Sequence, residues 1–178
     1  MKRISTTTRV LAASLAWMTL GVAQAAPLTA DVVLKPTQGS ATAGSVRFTQ
    51  QDGKLQIDAD IAGLSPGVHG FHLHEKGDCS APDGTSAGGH FNPAGLQHGG
   101  PEHGARHGGD FGNITADASG KASLRLSVPT SQITLESGVA NSIIGRGIIV
   151  HADADDFVTQ PTGNAGKRVA CGVVVAGK

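Results

Sequence analysis

Lys54–Ile61 reads KLQIDADI, with Leu55, Ile57, Ala59 and Ile61 on alternate positions and Lys54, Gln56, Asp58 and Asp60 between them. Successive side chains of a strand point to opposite faces, so this period of two predicts a strand with one buried and one wet face. Ala122–Val128 (ASLRLSV) repeats the pattern, with Leu124, Leu126 and Val128 opposite Ser123, Arg125 and Ser127. Weaker strands are expected at Asp31–Leu34, Ser45–Gln50, Val68–His74, Ile148–His151 and Val169–Val175. Turn signals stand between them at Asp52-Gly53, Ser65-Pro66-Gly67, Ser119-Gly120 and Gly163-Asn164. No long amphipathic helix is visible. About eight short strands predict an all-β domain, an antiparallel sandwich or barrel.

Composition agrees with this and removes other classes. The chain has 178 residues, with 14 Lys+Arg and 14 Asp+Glu, so no excess of positive charge points to a polyanion. Aromatics make up 3% of it, with no Tyr. Glycine counts 26, without a period of three. A coiled coil, a transmembrane bundle and a base-stacking surface for nucleic acid are excluded.

The first residues read as a segment apart. Met1–Arg9 carries Lys2, Arg3 and Arg9 and no acid; Val10–Val22 is apolar; Ala23-Gln24-Ala25 has the small-x-small form of a cleavage site. This predicts a secretory signal peptide over residues 1–25, cut after Ala25, and one domain over residues 26–178. Removing it leaves eleven basic residues against fourteen acids, and no Trp or Met. In an exported chain the two cysteines, Cys79 and Cys171, read as a disulfide, the alternatives being a metal thiolate or a catalytic cysteine.

Lys76–Asp110 breaks the strand pattern, with ten Gly and three Pro in 35 residues. So long a loop in a compact domain is either disordered or cross-linked, and its four His, one Cys and terminal Asp point to a metal as the organiser. Seven of the eight histidines fall between His69 and His107. His72 and His74, two apart on a strand, place both imidazoles on one face, where they can hold copper or zinc. His90, His98, His107 and Asp110 supply three imidazoles and a carboxylate, the closed tetrahedral set that structural zinc favours. His151 ends an apolar strand and becomes a further ligand. Arg168 precedes Cys171 by three residues; a bond from Cys171 to Cys79 would draw it toward the loop, where its fork would meet a small anion. Otherwise it is a solvated surface cation.

The stretches GFHLHEKGDC, TSAGGHFNP, HGGPEHGARHGGDFGN, IIGRGIIVHADADD and TGNAGKRVACGVV resemble, in order and spacing, the signature segments of the copper–zinc superoxide dismutase family. The resemblance implies an eight-stranded Greek-key barrel with long metal-binding loops, holding one copper and one zinc ion per subunit. His72, His74, His90 and His151 match the copper ligands. His90, His98, His107 and Asp110 match the zinc ligands, so that His90 bridges the two. Arg168 and His90 match the catalytic residues: Arg168 pairs with the anion and His90 carries a proton. Asp155 matches the outer carboxylate joining ligands of both metals, Cys79 and Cys171 match the intrasubunit disulfide, and His69 resembles a structural histidine beside the copper strand. No family role falls on His103. The implied activity is dismutation of superoxide to dioxygen and hydrogen peroxide, with superoxide as substrate and a homodimer as the family's habit.

Cys79 follows His74 by five residues, and the span from His151 to Arg168 is short, with Asp153, Asp155 and Asp156 against a single Lys167. The cysteine placement resembles the bacterial exported branch, so a periplasmic protein defending the cell envelope is expected, with no nucleic-acid partner and no membrane contact after signal cleavage. Lys76, Lys167 and Arg168 are then the sources of local positive potential. A copper-handling relative without activity would lack a ligand or the arginine, and a purely structural zinc domain would not need His72, His74 and His151.

Overall fold

The computed structural model describes residues 25–177. The signal-peptide reading therefore lies, apart from Ala25, outside the described residues. Within them the regular structure is β1 (Leu28–Pro36), β2 (Ala43–Gln51), β3 (Lys54–Ala62), β4 (Gly67–His74), a 3-10 turn at Thr85–Ala87, β5 (Asp110–Ala116), β6 (Ala122–Pro129), β7 (Gly147–His151), β8 (Arg168–Val173) and β9 (Val175–Ala176). No helix among these residues is long and apolar enough to cross a membrane.

The strands form one antiparallel ladder in the order β5-β4-β7-β8-β1-β2-β3-β6, with the short β9 on β1. β5 and β6, at its two ends, lie beside each other, so the sheet curls into a nearly closed eight-stranded barrel. The hairpin between β2 and β3 turns at Asp52 and Gly53, both at positive φ (51° and 73°), as a two-residue loop matched to strand twist requires. Leu55, Ile57, Ala59 and Ile61 of β3 are all buried, against Val32 and Leu34 of β1, Phe48 of β2 and Ile148 and Val150 of β7. Phe48, Phe111 and Phe71 run through this core with ring centroids 6.5 and 5.8 Å apart.

Three strand readings are corrected. β5 is a strand that the sequence pattern does not show, because Gly112 sits at φ 91° and Asn113 points to a polar partner, so FGNIT never alternates. The expected strand Val169–Val175 is divided: Val173 ends β8 and Val175 starts β9, which pairs with β1. Leu124 and Leu126 are only half-buried, because β6 ends the ladder and has a strand neighbour bonded on one side alone.

Alternation along β4 and β7 decides where the site can be. Phe71 and Leu73 point into the barrel, so His72 and His74 point out; Ile148 and Val150 point in, so Ile149 and His151 point out. Two connections close over this outer face, residues 75–109 from β4 to β5 and residues 152–167 from β7 to β8. Ala87, Ile149 and Cys171 make a small second core beneath the first of them, fastened by the Cys79–Cys171 disulfide. Outward-facing histidines thus become buried without entering the barrel.

Candidate metal centre

β4 presents His72 and His74, β7 presents His151, and His90 joins them through a bridge between its own backbone and that of His74. All four are buried, with ring nitrogens within 4.8 Å of one another. A second group, His90, His98, His107 and Asp110, meets the same limit. His90 belongs to both. The 75–109 connection brings three of these side chains to Asp110 at the head of β5. Asp110 Oδ1 stands 2.8 Å from His90 Nδ1, 3.0 Å from His98 Nδ1 and 3.3 Å from His107 Nδ1. A regular tetrahedron with corners ~3.3 Å apart has its centre ~2.0 Å from each, the length of a zinc–nitrogen bond.

The unpartnered atoms test the fit. His72 Nδ1, His74 Nε2, His90 Nε2 and His151 Nε2 are buried without a hydrogen-bond partner, and all face the first group. His98 Nδ1 and His107 Nδ1, in the second group, are likewise without a hydrogen bond of proper geometry. Native proteins rarely leave buried polar atoms unsatisfied, and a shared cluster of them marks a missing ligand. The opposite nitrogens are occupied. His72 Nε2–H donates to Asp155 Oδ2 (2.8 Å), His74 Nδ1–H to the Gly88 carbonyl (2.9 Å), His151 Nδ1–H to the Gly166 carbonyl (3.3 Å) and His98 Nε2–H to Asp155 Oδ1 (3.0 Å). These bonds fix His72, His74 and His151 as the tautomer whose lone pair points inward, the form a metal ligand needs, and aim His98 Nδ1 at its own group. The donor sets suit a copper ion held by imidazoles and a zinc ion held by three imidazoles and a carboxylate.

Burial sets the protonation of His72, His74 and His151. It pushes His72 down to about 4, an effect that the bond to Asp155 opposes. Burial, with His72 beside it, pushes His151 down to about 3; burial and His90 push His74 down as well. These rings are neutral at physiological pH before any ion arrives. His98 goes the other way: burial opposes its charge, but Asp110 and Asp155 outweigh it and raise the ring to about 9. Asp110 and Asp155 are themselves held well below the usual carboxylate range, because the bond of Asp110 to His90 with His98 close beside it, and the bonds of Asp155 to His72 and His98, overcome the burial that would raise them.

Asp155 is the link between the two groups, and its own backbone is pinned by a side chain of β5. Asn113 Oδ1 accepts from the Asp155 N–H (2.8 Å), and Asn113 Nδ2 donates to the Asp155 carbonyl (2.9 Å). Gly163 passes so close that an added Cβ would strike Asp155 Oδ1, and its φ of 67° suits glycine. Arg168 starts β8 and is half-buried beside the first group, where its charge adds to the lowering of His74 and His151. Its guanidinium donates to the carbonyls of Gly84 (2.8 Å) and Gly88 (2.7 Å), and Thr37 Oγ1 donates to its own carbonyl (2.7 Å). Gly88 therefore serves both His74 and Arg168, in the loop that the disulfide fastens. His69 stands at the edge of the site, with Nδ1 2.9 Å from the His151 carbonyl and Nε2 2.8 Å from that of Ser65. His103 is exposed and accepts from the Gly100 N–H through Nδ1 (2.9 Å).

Asn113 and the carbonyls of Gly84 and Gly88 have no counterpart in the sequence reading. Each acts through a partner tens of residues away, and neither a lone Asn nor a glycine carries a chemical signal of its own.

Comparison with known proteins agrees with the geometry. The sequence model for copper/zinc superoxide dismutase (SODC) matches residues 42–174. A superoxide dismutase [Cu-Zn] of Paramecium bursaria Chlorella virus 1 is 51% identical over 139 residues, which span 74% of this chain and 71% of the relative. A crystal structure of the clock protein EA4 matches with a TM-score of 0.73 at 41% identity, covering 88% of this chain and 99% of that one. Barrel, histidine groups and sequence together place the chain in the copper–zinc superoxide dismutase family.

Proposed function

We propose that His72, His74, His90 and His151 hold the copper of this superoxide dismutase, that His90, His98, His107 and Asp110 hold its zinc, and that the enzyme works outside the cytoplasm. The observation that carries the assignment is the direction of the rings: six inward nitrogens without a hydrogen-bond partner, with His90 alone contributing to both groups. Copper supplies the reversible one-electron couple and zinc, with a filled d shell, supplies none.

The chain dismutates superoxide: one anion gives up an electron and leaves as dioxygen, and a second gains that electron and two protons to leave as hydrogen peroxide. Two of the five guanidinium N–H groups of Arg168 are engaged by Gly84 and Gly88, which leaves a fixed cation with donors free for a small anion. His90 Nε2, buried and facing the copper group, is the atom at which the chain holds a proton and passes it to the reduced oxygen. Asp110 Oδ1 stands 2.8 Å from His90 Nδ1, and the ring would be kept in place by the zinc that both would hold while its other end works. Asp155 orients His72 and His98 together, so neither ring turns without the other.

Placement in the periplasm, in defence of the cell envelope, rests on the basic, apolar and small-x-small segments of residues 1–25 and on the Cys79–Cys171 bond, which suits an oxidising compartment. Val33 on β1 and Val175 on β9, 69% and 61% exposed, offer an apolar surface on which a homodimer would pack. Exported protein should contain copper and zinc in near-equal amounts, begin at Ala26 and consume superoxide, with a chelated copper-free control inactive. Zinc alone after copper supplementation would contradict the assignment.

A further inference from the structure

Of the residues in the two metal groups, His98 has the least support from its own backbone. His72 and His74 lie in the β4 ladder, His151 in that of β7, Asp110 in that of β5, and His90 bridges to His74. His107 also lies outside any ladder, but its N–H donates to Asp110 Oδ2 (2.9 Å) and its carbonyl accepts from the Asp110 N–H (3.3 Å) at the head of β5, whereas His98 lies midway through the 75–109 connection, outside any ladder. Its backbone is met by one side chain. Gln160 Oε1 accepts from the His98 N–H at 2.9 Å, and Gln160 Nε2 donates to the His98 carbonyl at 3.0 Å. Among the described residues, no other group hydrogen-bonds the His98 backbone. The carboxamide thus does for His98 what a neighbouring strand does for a ladder residue, engaging donor and acceptor of one residue at once.

Gln160 and Asp155 belong to the same connection, residues 152–167. That connection therefore grips His98 twice, Asp155 at ring Nε2 and Gln160 at the backbone. With both ends held, Nδ1 has one place to stand, 3.0 Å from Asp110 Oδ1. With the backbone released, the ring would pivot about its bond to Asp155.

We propose that Gln160 is a positioning residue for the zinc ion, setting where His98 Nδ1 stands and so how slowly that ion escapes. The inference rests on the assignment of His98 and Asp110 to zinc given above. It makes Gln160, an exposed residue that touches no metal-facing nitrogen, a determinant of zinc retention.

Four variants of the copper- and zinc-loaded protein test it, read by the rate of zinc transfer to a chromogenic chelator and by the visible spectrum after cobalt replaces zinc. Gln160→Ala should release zinc about tenfold or more faster, within the roughly 10- to 100-fold range for groups that orient ligands. It should also shift the cobalt bands while copper content is unchanged. Gln160→Glu should fall between, since it still accepts from the His98 N–H but cannot donate to the carbonyl. Val158→Ala, a neighbouring exposed change, should match the parent. Asp110→Ala should release zinc fastest of all. Zinc release and cobalt bands at parent values in Gln160→Ala, with Asp110→Ala fast, would overturn the role of Gln160. Parent-like release in Asp110→Ala would instead overturn the zinc assignment beneath it. Should Gln160→Ala not fold, parent-like release in Gln160→Glu overturns the inference.

Discussion

Replacing Asp155 by Ala removes the one carboxylate that both metal groups share, and the structure says the two will not suffer equally. Its Oδ2 accepts from His72 at 2.8 Å, and its Oδ1 accepts from His98 at 3.0 Å and from the Phe157 N–H at 2.7 Å. Both rings and the carboxylate have no exposed side-chain surface, so water cannot replace these bonds without rearrangement. A hydrogen bond to a charged group contributes about 1.5–3 kcal/mol, which corresponds to roughly 10- to 100-fold in ion affinity if lost from the bound state alone. For His98, whose backbone is held by the side chain of Gln160 and not by a ladder, the full loss is expected. His72 sits in β4, bonded to β5 on one side and β7 on the other, which keeps its ring close to position. Zinc affinity should therefore fall about 10- to 100-fold and copper affinity less than about tenfold. Dialysis of the loaded variant against graded chelator, with both metals measured at each step, reads the difference. Equal losses, or copper leaving first, would refute the reasoning that strand support protects His72.

Other outcomes follow from the same geometry. Arg168→Ala should lower the second-order rate constant for superoxide about tenfold or more, the scale of a lost charge-assisted contact, with both metals retained; titrated metal content and pulse radiolysis check both halves. His98, raised to about 9 in the metal-free protein, must give up its extra proton to present Nδ1, so zinc uptake near pH 7.5 should release a proton that is no longer released well above pH 9. Because that pKa is raised on folding, the charged ring stabilises the metal-free fold fully below about 6.5, and the contribution is lost as pH rises through about 9. Thermal midpoints of the metal-free protein should therefore decline over this window more than those of the loaded protein. Cys171→Ser opens a cross-link between residues 92 positions apart, which on the chain-entropy model stabilises by about 4–5 kcal/mol. The variant should unfold at lower denaturant, and its activity should fall as the Gly84 and Gly88 carbonyls lose their hold on Arg168.

The parts of this protein that were legible in sequence are those whose physics is local. Lys54–Ile61 alternates because one face of β3 is core, and His72-x-His74 shares a face for the same geometric reason, with Phe71 and Leu73 pointing inward as the complement. Six histidines and an Asp at family spacing were equally plain. β5 was not legible, because its polar residue Asn113 faces away from the barrel core to serve Asp155, 42 positions away, and Gly112 interrupts the alternation. Leu124 and Leu126 carry the pattern of a buried face, but a strand at the end of a ladder covers them only in part. The clamps on Asp155 and His98 were invisible for a related reason: Asn113 and Gln160 are ordinary residues until folding brings their partners within 3.0 Å. Short-range periodicity reports which way a side chain faces, and only tertiary closure reports what it meets.

The account turns on His90 lying between two different ions, and diffraction from the loaded protein at the copper and zinc absorption edges tests this directly. A copper-edge peak ~2 Å from His90 Nε2 and a zinc-edge peak ~2 Å from His90 Nδ1 are expected. Either peak lying away from that ring, or both edges giving one shared position, would contradict it.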